Sequence, residues 1–256
     1  SKEWFAQREG LNTASTATKM LRDPMKRGLF MAEERLDPRG TIGRSKGNEP
    51  FYGNHYTWQG NAGEGKVARA FMSEIHQQGK KNKNVFEDAV FREGYFETNN
   101  KYEGMGASPD GMLFDKEGNS LGLLEFKFLG DKGAEKALET YTDQMQMQML
   151  VTGEEFATLA VLNTQTGEFS QDTIQADKAH QDRIIEASRI SQETNKSIKN
   201  WRDREVARDL IPKSKGSRTS PTGEAAKKEV ATEAALPEDF DSLSSAEQNA
   251  ILLSEG

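Results

Sequence analysis

The chain has 256 residues, 34% of them apolar, with 41 acidic against 34 basic side chains for a net charge of −7, and no cysteine. That length suffices for one sizeable core, or for a domain with a tail, and the missing cysteines exclude structural disulfides, Cys-ligated zinc, iron–sulfur clusters and thiol nucleophiles. No run approaches the ~20 apolar residues of a membrane helix, the opening SKEWFAQREG has no basic-then-apolar signal pattern, and the acidic balance argues against a partner grasped by overall charge, so a soluble, cytoplasmic protein is expected.

Helical spacing comes first at 12–22 and then at 61–78, where Val67, Phe71, Met72 and Ile75 share a face. Residues 85–97 read as a strand with flanking loop. Residues 108–129 split around Asp115-Lys116-Glu117-Gly118-Asn119, a turn-forming cluster between two apolar strands, and so read as a β-hairpin. A helix is expected over 134–152, a second hairpin over 156–163 and 168–175 turning at Thr166-Gly167, and one long charged helix over 177–208, its alternating charges a solvated face. Residues 1–211 therefore form a mixed α/β (α+β) domain. From Ile211 onward Pro, Gly, Ser, Thr, Ala, Glu and Lys dominate, which predicts a flexible linker over 212–242. The last segment, 243–256, holds a short amphipathic helix over 243–253, with Ser244 and Glu247 as a capping box and Leu243 as a staple. It reads either as a partner-docking peptide or as a tail with no role.

The chemistry concentrates on the first hairpin. Alternation along a strand sends Glu125 and Lys127 to one side and Leu124, Phe126 and Phe128 to the other. A carboxylate and an ammonium thus emerge from an apolar strand, a costly arrangement without a purpose. The fold-back at the turn brings Asp110 near Glu125. Two hard carboxylates beside a lysine, with the Phe126 carbonyl between, make a magnesium site, at which Lys127 would hold or polarise a water. The competing reading is a structural salt bridge between Glu125 and Lys127. Glu64 opens a helix, either as a first-turn acid favoured by the dipole or as a third carboxylate. Gln144 and Gln148 share a helical face beside Met145 and Met149. Methionines at this spacing fill cores, while a glutamine at their edge can orient water or phosphate.

Taken in order, Trp4 with Arg8-Glu9-Gly10 and Thr13-Ala14-Ser15, Gly60 with Glu64, Ser108-Pro109-Asp110-Gly111, Glu125-Phe126-Lys127, and Tyr141 with Gln144, Gln146, Met149, Val151 and Thr152 resemble the lambda-exonuclease, or YqaJ-like, branch of the PD-(D/E)XK nucleases. Five ordered blocks over roughly 4–200 are far more specific than any one of them. The resemblance implies a restriction-endonuclease-like core, a central mixed β-sheet flanked by helices, with the flexible C-terminal tail as an addition. It implies that Asp110, Glu125 and the Phe126 carbonyl are metal ligands, Lys127 the catalytic lysine, Glu64 the helix glutamate at or near a second metal, and Gln144 the active-site glutamine. Arg8 would receive a 5′ phosphate with Ser15 and Ser108 as neighbours.

The activity implied is magnesium-dependent (or manganese-dependent) 5′→3′ hydrolysis of one strand of duplex DNA to mononucleotides, leaving a 3′ single strand for phage recombination. The implied partners are double-stranded DNA ends, a single-strand annealing or single-strand-binding protein, and further copies of the chain in a ring-shaped homotrimer, in the host cytoplasm if phage-encoded. An endonuclease and a non-catalytic DNA-end-binding scaffold are the alternatives. The family's further basic residues align with Met25 and His55, leaving Lys26, Arg27 and Arg44 as nearby candidates. The charge balance also divides locally: 212–256 hold eight acidic and five basic residues, whereas 1–46 hold ten basic against six acidic, and local charge governs phosphate contact.

Overall fold

In the computed structural model of the chain, the hairpin expected over 108–129 forms the middle of a five-stranded sheet. The structure describes residues 7–42, 44–48 and 55–211, with the side chains of the helix that begins at His55 described from residue 63 onward. The chain divides into a unit of residues 1–212 and a second of 213–256. The predicted linker and terminal helix, like Trp4, lie outside the described residues.

In chain order the elements are β1 (Asn12–Thr13), a 3-10 turn (Ala14–Thr16), α1 (Ala17–Arg22), α2 (Pro24–Leu36), α3 (His55–Asn82), β2 (Val90–Glu93), β3 (Glu97–Thr98), β4 (Met105–Ala107), β5 (Gly111–Phe114), β6 (Ser120–Leu129), α4 (Asp131–Ala134), α5 (Ala137–Thr152), β7 (Phe156–Asn163), β8 (Phe169–Gln175), α6 (Lys178–Ser197) and α7 (Trp201–Leu210). The large sheet has the order β2-β5-β6-β7-β8, and a small one the order β1-β4-β3. β6 and β7 run parallel while their other neighbours pair antiparallel. A parallel pair needs a crossover, and α5 supplies it.

Parity along β6 sorts the core. Leu124 and Phe126 pack with Val67, Phe71 and Ile75 of α3, while Leu123 packs with Met145 and Met149 of α5 and with Leu159 and Val161 of β7. Met147, Leu150 and Val151 turn the other way, onto Ala14, Ala17, Met20, Met105 and Ile184. α5 is therefore buried on two sides, which is why methionine recurs along it with no single apolar stripe. Gly118, with φ of +90°, closes the β5–β6 turn, where Asp115 Oδ1 accepts from the Asn119 N–H at 2.7 Å.

Several predicted boundaries move. The helix expected over 12–22 starts only at Ala17, because Asn12 and Thr13 pair with β4. The segment 85–97 yields two short strands in different sheets. α2 was not anticipated, although Asp23 caps it by accepting from the Lys26 N–H at 2.9 Å and Pro24 follows at its first position, a recognisable start signal. The long charged helix breaks in two. Ile198 turns into the core at 1% exposure, and Asn200 restarts a helix by accepting from the N–H groups of Arg202 and Asp203. Nor is its charge wholly solvated: Arg204, 4% exposed, pairs with the fully buried Glu33.

Candidate active site

Asp110 lies just ahead of β5. Its N–H donates to the Leu124 carbonyl at 3.1 Å, and its Oδ2 accepts from the Phe126 N–H at 2.7 Å, so the loop is tied to β6 through both backbone and side chain. Glu125, 2% exposed, leaves β6 on the α5 side. Lys127, two residues on, follows it and donates through Nζ to Glu125 Oε1 and to the Phe126 carbonyl at 3.1 Å. The same nitrogen stands 3.7 Å from Asp110 Oδ2 and 5.0 Å from the Tyr141 ring centre. α5 closes the site with two amides one turn apart. Gln144 Nε2 donates to Glu125 Oε1 at 2.5 Å, and Gln148 Nε2 to Glu125 Oε2 at 2.6 Å.

The electrostatics follow from burial and crowding. Desolvation, then the neighbouring Glu125 charge, pushes the Asp110 carboxyl up to about 7, against the opposing pull of Lys127 and the Phe126 N–H. Burial draws the Lys127 ammonium down, but Glu125 and Asp110 outweigh it and leave it above its ordinary value. Glu64 is raised, first by burial and further by Glu125, with Lys127 opposing. It reaches this field because Gly63 lies flat against Phe128: a Cβ there would stand 2.2 Å from the ring. Among the described residues, no three His, Asp or Glu side chains gather into a metal-holding group, so Glu64 contributes charge to the cluster without joining Asp110 and Glu125 as a third close donor. The oxygens of Asp110, Glu125 and the Phe126 carbonyl instead surround one cation, the Lys127 ammonium. Such a set of hard oxygens suits magnesium.

A second group of predicted residues adjoins this cluster. Arg8 Nη2 donates to Ser108 Oγ at 2.6 Å, and its guanidinium lies 4.3 Å over the Phe96 ring, where partial burial lowers its pKa. Ser108 is two residues from Asp110, and its carbonyl accepts from Gln148 Nε2 at 3.4 Å. Ser15 is exposed on the 3-10 turn, its Oγ 3.2 Å from the Thr13 hydroxyl. Of the basic residues considered as phosphate contacts, Arg27 is drawn inward, donating to Asn12 Oδ1 and the Leu11 carbonyl, each at 3.3 Å. Arg44 donates to the Asp37 carbonyl. Lys26 stays exposed, and the His55 side chain lies outside the described residues.

Against this geometry, the family model for the YqaJ-like viral recombinase domain matches residues 3–155, more than half of the chain. The chain belongs to the YqaJ-like viral recombinase domain family. No curated protein sequence matches it. The YqaJ-like chain is similar in fold to an alkaline exonuclease from Laribacter hongkongensis, at 21% identity over 81% of this chain and 99% of the other, with a TM-score of 0.57. The same exonuclease in complex with dAMP gives 22% identity, the same coverage and a TM-score of 0.58. A phage-related exonuclease from Haemophilus somnus 129PT aligns at 16% identity over 78% of this chain and 96% of the other, with a TM-score of 0.50. The mixed sheet flanked by helices is thus the fold expected from the resemblance. Within this YqaJ-like domain, sequence reasoning missed one member of the cluster, Gln148. Its helical spacing from Gln144 put it on the right face, but nothing in the sequence told that both amides end on one carboxylate.

Proposed function

We propose that the chain is a magnesium-dependent 5′→3′ exonuclease that hydrolyses one strand of linear double-stranded DNA to mononucleotides and leaves a 3′ single-stranded overhang for recombination. The observation that carries this reading is the meeting of Asp110, Glu125 and Lys127 at one end of the β5–β6 hairpin, with the Asp110 carboxyl raised to about 7. Family membership and the exonuclease folds support it.

Asp110, Glu125 and the Phe126 carbonyl would hold the ion, with Glu64 adding negative charge from α3. A bound magnesium (or manganese) ion supplies neutralisation of the scissile phosphate and a lowered pKa for the attacking water. Lys127, held by Glu125 beside that position, donates to the water and to the phosphate oxygen on which charge develops. Gln144, half-buried at the rim of α5, orients the water. Arg8, braced by Ser108 and Phe96, offers its planar fork to the terminal 5′ phosphate, with Ser15 on the neighbouring turn. In this reading the chain's partners are duplex ends and an annealing or single-strand-binding protein that takes the product strand. Incubation with Mg²⁺ should degrade a linear duplex and leave a covalently closed circle of the same sequence intact. Cutting of the circle would replace the exonuclease with an endonuclease.

The Asp110 carboxyl also sets a pH dependence. The folded, metal-free protein holds that proton more tightly than the unfolded chain does. Its contribution to stability is present at acid pH and is lost as pH rises through about 7. Cation affinity moves oppositely, because the ion competes with the proton. Apparent Mg²⁺ affinity should fall about tenfold per pH unit below 7 and level off above it. Titration calorimetry across pH checks this, and Asp110→Asn should abolish the slope together with most of the affinity.

A further inference from the structure

Two glutamines of α5 use a buried amide in opposite ways. Gln146, 3% exposed, is paired at both ends: Nε2 donates to the Gln175 carbonyl at 2.8 Å, and Oε1 accepts from the Asp177 N–H at 2.9 Å. It staples α5 to the junction of β8 and α6. Gln148, fully buried, spends its Nε2 on Glu125 Oε2 and the Ser108 carbonyl, and leaves Oε1 buried with no hydrogen-bond partner. An unpaired buried acceptor calls for an explanation. A side chain placed for packing alone would shed it, as the methionines at 145, 147 and 149 do on the same helix. Nor can the amide turn round to relieve the cost, because both groups beside Nε2 are acceptors and reversal would set its oxygen against a carboxylate.

We infer that Gln148 is a positioning residue for Glu125, fixing the inner oxygen Oε2 so that Oε1 is the oxygen presented to the reacting side. The terminal torsion of a glutamate is broad, so an unheld carboxylate can rotate in place. Gln148 holds one oxygen from the core, while Gln144 and Lys127 share the other at the half-buried rim. Two amides one helical turn apart on the two oxygens of one carboxylate fix its plane before any cation arrives, as outer partners of metal ligands do. This inference rests on the hydrolytic reading above.

Its test is Mn²⁺ binding to the full-length protein by titration calorimetry, without DNA, for wild type, Gln148→Met, Gln146→Met and Asp110→Ala. Thermal melting checks that each is folded, and steady-state kinetics on a linear duplex accompanies the titrations. Gln148→Met should bind Mn²⁺ about tenfold or more weakly and lower kcat with KM for DNA unchanged, while Gln146→Met keeps wild-type affinity. Gln148→Leu repeats the measurement if the methionine variant does not fold. Wild-type affinity in the Gln148 variant, beside its loss in Asp110→Ala, overturns this inference alone. Equal weakening by Gln146→Met overturns it too, as a general loosening of α5. A wild-type protein that binds no Mn²⁺ removes the hydrolytic reading and this inference together.

Discussion

Lys127→Ala is expected to lower Mg²⁺-dependent DNA degradation about 10²–10³-fold, the usual loss when one preorganised donor to a developing charge is removed. The side chain does two things at once. It is the ammonium around which Glu125, Asp110 and the Phe126 carbonyl are arranged, and in the proposed reaction it is the donor to the attacking water and the phosphate. Without it the buried Glu125 and the partly buried Asp110 face each other with no compensating charge, so Asp110 should hold its proton to still higher pH. Lys127→Arg should not restore the rate, since a planar guanidinium does not replace a compact ammonium in a space this closely lined. Single-turnover digestion of a linear duplex at saturating enzyme isolates the chemical step. Activity within a few-fold of wild type in Lys127→Ala would remove the lysine from the mechanism.

The largest effect on stability is expected at Glu33→Ala, about 3–5 kcal/mol, as for other buried ion pairs broken on one side. Glu33 is fully buried and holds three parts of the chain together. From α2 it accepts from Arg204 Nε of α7 at 2.7 Å, from the Ser45 hydroxyl at 2.6 Å and from Asn48 Nδ2 at 2.9 Å. Desolvation alone would raise its pKa, but these bonds outweigh it and hold the carboxylate below its ordinary range. The stability so gained is present at neutral pH and is lost in acid as pH falls through the lowered pKa. Urea unfolding at pH 7 measures the loss, and the double variant Glu33→Ala with Arg204→Ala should cost less than the two single changes summed. A loss below 1 kcal/mol in Glu33→Ala would show that the pair carries little.

What could be read in the sequence followed from short-range periodicity. The parity of Leu124, Glu125, Phe126 and Lys127 placed the charged pair on the face opposite Leu124 and Phe126, and the Asp115–Asn119 turn brought Asp110 back to meet it. Both features are local, and both recur in the structure. What could not be read depended on distant partners. Arg204 looked like one more charge on a solvated helix, because its partner Glu33 lies far away in sequence, on a helix the periodicity did not announce. Arg27 stood only among the nearby basic candidates, and its bonds to Asn12 Oδ1 and the Leu11 carbonyl could not be read from the periodicity. The spacing of Gln148 put it on the face of Gln144, but its bond to Glu125 could not be read, because a glutamine's role is set by where its amide points and Glu125 lies on a different element.

The central claim is hydrolysis from a 5′ end at the Asp110–Glu125–Lys127 cluster. A linear duplex carrying a labelled phosphate at one 5′ end and a distinct label at the 3′ end of the same strand tests it most directly, incubated with Mg²⁺ and wild-type protein. The expected result is early release of the 5′ label as a mononucleotide, while the 3′ label stays in long fragments and is released last. Release of the 3′ label first, or no release of either, would contradict the account.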